Sequence, residues 1–206
     1  RANQFVLGRY GLHFHMNSRV THTDVNDGSR RPSRVVDSEY NWAGALVDGV
    51  VVRDTDSHAF VSHESDNVTF KNTISYSTSE EAYWWDAREF GNPLALARGE
   101  TSNGFKIPLP TISNNITYDH AVAALLKPSI GDDKNYRASG FYLGSGENMT
   151  VKHSVAVGIA DGVQTAGFQW PENDHGLWTF KEGNISHNNF NNGIFGWQND
   201  SLLHDI

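Results

Sequence analysis

Asp66-Asn67-Val68-Thr69-Phe70-Lys71-Asn72 reads as a polar turn residue, an Asn, an apolar, any, apolar alternation and a polar stop. Alternation with a period of two belongs to a half-buried β-strand, and helical periodicity is scarce elsewhere in the chain. The same phrase returns as Asp48-Gly49-Val50-Val51-Val52-Arg53-Asp54, Asn114-Asn115-Ile116-Thr117-Tyr118-Asp119-His120, Glu147-Asn148-Met149-Thr150-Val151-Lys152-His153 and Gly183-Asn184-Ile185-Ser186-His187-Asn188-Asn189. Successive phrases start about 18, 48, 33 and 36 residues apart, which describes one irregular repeat of roughly 20 residues carrying inserted loops. Unequal spacing argues against a propeller or a helical repeat. A coil of this size cannot bury its own inner face and must stack on the next, so the pattern predicts an all-β parallel β-helix with long inserted loops. The competing arrangement, an antiparallel β-sandwich, needs turn pairs set symmetrically between strands, and these are too few. Asn suits the turns because it tolerates left-handed backbone and bonds its neighbours through its side chain.

Two stretches break the rhythm, Val20 to Tyr40 and Asp86 to Pro110, and both read as long loops leaving the coil. On a rigid solenoid such loops shape a binding groove. The five Asn-x-Ser/Thr acceptors are Asn67, Asn115, Asn148, Asn184 and Asn199, and four coincide with the repeat phrase, so a turn role explains them before glycosylation does.

Composition narrows the functional classes. The chain has 206 residues, 24 acidic against 16 basic, a formal net charge of −8, and no cysteine. Phosphate binding needs clustered positive charge, so nucleic acid and anionic membrane surfaces are not expected partners. Without cysteine there are no disulfides, cysteine zinc sites or thiol catalysis. No stretch approaches the roughly 18–20 apolar residues of a membrane span. The start, Arg1-Ala2-Asn3-Gln4-Phe5, lacks an initiator Met and a secretion signal, so a mature product or an excised segment is expected. Aromatic residues make up 12% of the chain, enough for a core with rings left over for a surface.

The sharpest local signal is Gly8-Arg9-Tyr10-Gly11-Leu12-His13-Phe14-His15-Met16. Alternation puts Leu12, Phe14 and Met16 on one face and His13 and His15 on the other, about 7 Å apart, a separation that suits one chelated metal or one flanked substrate group. His63 stands at the end of a further candidate strand. In Glu80-Glu81-Ala82-Tyr83-Trp84-Trp85-Asp86, Tyr83 and Trp85 share one face, Trp84 and Asp86 the other. Flat rings beside carboxylates suit a sugar, whose C–H face packs on an indole while its hydroxyls bond to carboxylate oxygens; at least one of these Trp is expected in the core. Cleavage of a glycosidic bond requires an acid and a base flanking it, and Asp24, Asp27, Glu64, Glu81, Asp86, Asp161 and Asp174 are available carboxyls. Arg9 is placed to bind a uronate carboxylate in bidentate fashion or to form a salt bridge within the coil.

The segment Gly8-Arg9-Tyr10-x-Leu12-His13-Phe14-His15-Met16 resembles the Gly-Arg-Tyr-Pro-(Ile/Val)-His-Phe-His segment of the hyaluronidase family that includes the cell-migration-inducing hyaluronan-binding protein and its type II transmembrane relative. Val61-Ser62-His63, Thr73-Ile74-Ser75-Tyr76-Ser77-Thr78, Tyr83-Trp84-Trp85-Asp86, Ser139-Gly140-Phe141-Tyr142-Leu143, Asn148 and Val155-Ala156-Val157-Gly158 are similar to later stretches of that family. Gly11 stands where the family has Pro, and Asn17-Ser18 where a Gly-Asp type of continuation is expected. The resemblance implies that residues 1–206 form a single right-handed parallel β-helix domain, a segment of a longer extracellular protein, secreted or on the cell surface. It also implies cleavage of hyaluronan or a related acidic polysaccharide by a hydrolase or a lyase. On this reading His13, His15, His63, Asp86 and Arg9 are catalytic, Trp84, Trp85, Tyr83 and Asp24 bind substrate, and His13 with His15 holds any divalent cation, calcium or a transition metal being the candidates. The alternative is a non-catalytic, glycan-binding or adhesive β-helix, with flanking domains or further copies of itself as partners.

Overall fold

In the computed structural model, the residues described are 10–15, 44–63, 65, 67–86, 115–127, 139–144, 149–160, 165–170 and 178–196. All of their regular structure is strand, and every pairing is parallel. The strands form three sheets. Sheet A contains β1 (Leu12–His15), β4 (Phe60–His63), β7 (Tyr83–Asp86), β10 (Phe141–Leu143), β13 (Ala166–Trp170) and β16 (Asn192–Gly196), in that order. Sheet B runs β2 (Ala45–Asp48), β5 (Val68–Lys71), β8 (Thr117–Asp119), β11 (Met149–Lys152), β14 (Trp178–Lys181). Sheet C runs β3 (Val51–Arg53), β6 (Ile74–Tyr76), β9 (Val122–Ala124), β12 (Val155–Val157), β15 (Ile185–His187). Each coil visits A, B and C once, and the next coil stacks on it: this is a parallel β-helix.

The interior is built by like residues stacking on like. On sheet A, Phe60, Tyr83, Phe141 and Phe168 occupy one register position, and their rings stack at 4.9, 4.5 and 4.7 Å between centroids. Sheet B supplies Val47, Phe70, Tyr118, Val151 and Phe180 at one position. Sheet C contributes Val52 at the first coil and then small groups, Ser75, Ala123 and Ala156, these three all buried. Large rings from A and B therefore fill the space that C leaves. Where sheet C turns into sheet A, the ladder Gly11, Ala59, Ala82, Gly140, Gly167, Gly193 stays small for a steric reason: a Cβ on Gly140 would sit 2.6 Å from the Gly167 carbonyl oxygen.

The corners explain the Asn and Gly of the repeat phrase. Gly49, Asn72, His120, His153 and Glu182 open the turn from B to C, all with positive φ, from 48° to 69°. Asp54, Ser77, Leu125, Gly158 and Asn188 do the same after sheet C. Before sheet B, Asn67 and Asn115 are left-handed too, and Asn115 Nδ2 donates to Asn67 Oδ1 at 2.8 Å. Asn184 donates to the Val151 and Lys181 carbonyls and accepts from the Ser154 amide, so its amide closes a turn.

The structure corrects one grouping. The five phrases do not occupy equivalent strands: those at 68–71, 117–119 and 149–152 lie on sheet B, whereas 51–53 and 185–187 lie on sheet C. The true fourth partner of the sheet B set is Trp178-Thr179-Phe180-Lys181, which aligns Thr69, Thr117, Thr150 and Thr179 in one outward row. Of the expected loops, 20–40 and 87–110 lie outside the described residues. Both fall in the connection from sheet A to sheet B, which spans 29 residues after β1 and 30 after β7 but four after β4.

Two buried tyrosine hydroxyls make a paired test. Tyr83 Oη donates to the Thr73 carbonyl at 3.0 Å, with Thr73 Oγ1 also at 3.0 Å, whereas Tyr118 Oη is buried without a hydrogen-bond partner. Burial pushes both phenol pKa values up, so both stay neutral. Tyr83→Phe is expected to cost about 1–3 kcal/mol and Tyr118→Phe to be neutral or stabilising, because only the first strands a partner. Urea unfolding of the two variants checks this; equal losses would contradict the assignment.

Candidate functional site

Register on sheet A decides which of the expected residues meet. His15 pairs with His63, and His63 pairs with Asp86, so one register position carries imidazole, imidazole and carboxylate on three successive coils. Parallel neighbours are about 4.8 Å apart, so the trio spans roughly 10 Å. For His15, His63 and Asp86 it is this backbone register that is described. Arg9 and Asp24 lie outside the described residues.

Two residues earlier, His13, Val61, Trp84, Tyr142 and Gln169 share the outward row of the same sheet. His13 is exposed and Trp84 half-buried, while Val61 between them and Tyr142 and Gln169 beyond are buried, so the exposure of this row lies at coils one and three. Leu12 and Phe14 pack against the core, as the alternation requires. Tyr83 and Trp85 are a correction: expected to bind sugar, they point inward and are fully buried, Tyr83 within the aromatic stack. Alternation leaves Trp84 as the member of the run on the outer face.

A residue that the sequence reading did not select, His58, is central to the outer cluster. Its ring stacks on Trp84 at 5.2 Å with 9° between planes and lies 5.1 Å from Tyr10, which in turn packs edge-on against His13 at 4.7 Å. Nε2 lies 3.3 Å from Glu80 Oε2. Nδ1 lies 3.0 Å from Glu81 Oε2, an ion pair when the ring is protonated. Ser57 Oγ donates to Glu80 Oε2 at 2.8 Å and fixes that carboxylate. The geometry follows from the repeat: His58 and Glu81 each precede a small residue and a core ring, in His58-Ala59-Phe60 and Glu81-Ala82-Tyr83, so coil stacking sets them side by side. That shared spacing was the available signal.

Burial of the His58 ring opposes its charge, but contact with Glu81 and the charges of Glu81 and Glu80 outweigh it, and the imidazole pKa is raised above 6.5. An imidazolium face to face with an indole gains cation–π attraction as well. The cluster thus sets an imidazole, two carboxylates and flat rings beside the first three strands of sheet A. It is chemically suited to gripping a polyhydroxylated ligand, with Trp84 and Tyr10 as platforms.

A second cluster lies at the corner between sheets B and C. His120 Nδ1 and His153 Nδ1 approach the same oxygen, Asp119 Oδ1, at 2.8 and 3.1 Å, and the two rings stack at 4.5 Å. Partial burial of Asp119 opposes its charge, but bonds to His153 and His120 and the nearby Lys152 prevail and lower its pKa. Among the described residues this is the group of three whose donor atoms converge as metal ligands do, all within 4.8 Å of one another. The cation expectation had been placed on His13 and His15.

Because the folded-state pKa of His58 is raised, the stabilisation from its charge is fully present below pH 6.5 and fades as pH rises through the raised value. Glu81→Gln is therefore expected to lose about 1–3 kcal/mol relative to wild type at pH 6, a gap that narrows in alkaline buffer. Thermal unfolding of both proteins across pH checks this, and a gap that widens upward would reverse the sign. No protein-family model, curated protein or solved structure matches the chain.

Proposed function

We propose that this β-helix binds and cleaves an acidic polysaccharide across the outer face of sheet A, over coils one to three. The observation that carries the reading is the register identity of His15, His63 and Asp86, which occupy one position on three adjacent strands. Histidines titrate near neutrality and can serve as either acid or base, and a carboxylate beside one orients it and stabilises its charged form. Glycoside hydrolysis and β-elimination from a uronate both need such a pair about one bond. In this reading His13, His15 and His63 move protons, Asp86 is their carboxylate partner, Arg9 clamps a uronate carboxylate, and Trp84 packs on a sugar ring. His58 with Glu80 and Glu81 completes the platform. Support also comes from where the long connections leave: 29 residues follow His15 directly and 30 follow Asp86, the two ends of that register row.

A second reading, adhesion without catalysis, is favoured by a different surface. Val51, Ile74, Val122, Val155 and Ile185 share one outward position on sheet C, and Val51, Ile74 and Ile185 are exposed by 57, 39 and 51%. An apolar row of this kind suits association between copies of the chain.

Incubation with hyaluronan and a panel of other acidic polysaccharides, followed by size-exclusion analysis of chain length, separates the readings. Wild type is expected to shorten at least one polymer, and His63→Ala to slow this at least about 100-fold with an unchanged melting curve. Ultraviolet absorbance from an unsaturated uronate marks a lyase, and its absence alongside shortening marks a hydrolase. Unchanged chain lengths across the panel, from folded protein, would sink the catalytic reading and favour adhesion.

A further inference from the structure

The corner between sheets B and C carries a feature that polysaccharide cleavage does not use. At this turn position the coils present Gly49, Asn72, His120, His153 and Glu182, each in left-handed backbone. Gly and Asn adopt that conformation readily; a larger side chain adopts it at a cost. Two successive coils nevertheless place a histidine here, at φ 53° and 48°. The result is convergence: both Nδ1 atoms approach the single oxygen Asp119 Oδ1, at 2.8 and 3.1 Å.

We infer that Asp119, His120 and His153 form a surface site for a first-row divalent transition metal of the zinc, nickel or copper class, bound through Asp119 Oδ1 and the two Nδ1 atoms. Two imidazoles and one carboxylate are the donor set for these ions, whereas calcium and magnesium prefer all-oxygen surroundings. The ligands come from adjacent coils, so their spacing is set by the strand register of β8 and β11. The surroundings also resemble those of a built metal site. His153 Nε2, the nitrogen that would not bind metal, lies 3.7 Å from Glu182 Oε2, too long for a hydrogen bond but within ion-pair range. Lys152 Nζ lies 3.5 Å from Asp119 Oδ2 and engages the oxygen that the imidazoles leave free. His120 and His153 are exposed, so water has access to complete the coordination.

The test titrates the full chain with zinc or nickel by calorimetry in competition with a chelator, comparing wild type with His120→Asn/His153→Asn. Asn is chosen because Asn72 already occupies this left-handed position at φ 51°. Wild type is expected to bind one equivalent, the double variant to lose more than about 100-fold in affinity, and Glu182→Gln to lose about tenfold. The chain holds ten histidines, so undiminished binding by the double variant would place the metal elsewhere and overturn the inference, as would no binding by wild type. Should the double variant fail to fold, nitrogen chemical shifts of the wild-type histidines decide: zinc must move Nδ1 of His120 and His153, and zinc shifts confined to other imidazoles would overturn it. None of these readouts depends on polysaccharide cleavage.

Discussion

The stack of Phe60, Tyr83, Phe141 and Phe168 sets the repeat on which the rest of the molecule depends. Flat rings in offset contact and parallel strands joined by hydrogen bonds favour nearly the same separation, so side-chain stacking and the backbone ladder reinforce each other. Once the rings are in line, everything one or two residues away is in line too. The small-residue ladder at the A corner, the threonine row on sheet B and the left-handed corner residues are all products of that single alignment. So is the shared register position of His15, His63 and Asp86, which are far apart in the chain.

Several buried polar groups find partners across the interior or on a neighbouring coil. The Tyr83 hydroxyl reaches the turn at Thr73 and the Val122 carbonyl on sheet C, tying A to C across the interior. Trp178 Nε1 donates to the Gly144 carbonyl of the preceding coil at 2.9 Å. Ser139 Oγ and Gln169 Oε1 form a buried pair between coils at the covered part of sheet A. These bonds run across or between coils, so they fix the rotation of one coil against the next as well as its height.

Much of the fold was legible because its determinants are local. Strand alternation in Val68-Thr69-Phe70-Lys71, left-handed Asn at Asn67 and Asn72, and the two faces of Leu12-His13-Phe14 can each be read within a few residues. Assignment of phrases to sheets was not legible, because the phrases of B and of C alike place an Asn or Gly directly before an apolar side chain. Trp178-Thr179-Phe180-Lys181 escaped notice because Leu177, not Asn, precedes it, although its pattern repeats that of residues 68–71. For the site, the outward position of Trp84 follows from alternation, which equally sends Tyr83 and Trp85 inside. His58 could be found only by aligning coils on their core rings, since its partners Glu80 and Glu81 belong to the next turn of the helix.

Connection lengths differ sharply from corner to corner. The turn from sheet B to sheet C takes two residues in four coils and three in the fifth, where Gly183 and Asn184 absorb the addition, whereas the passage from A to B ranges from four residues to 30. Register is thus carried by one nearly constant corner, and length varies at another. Whole segments can therefore be exchanged at the A–B edge while the coil that carries them keeps its shape.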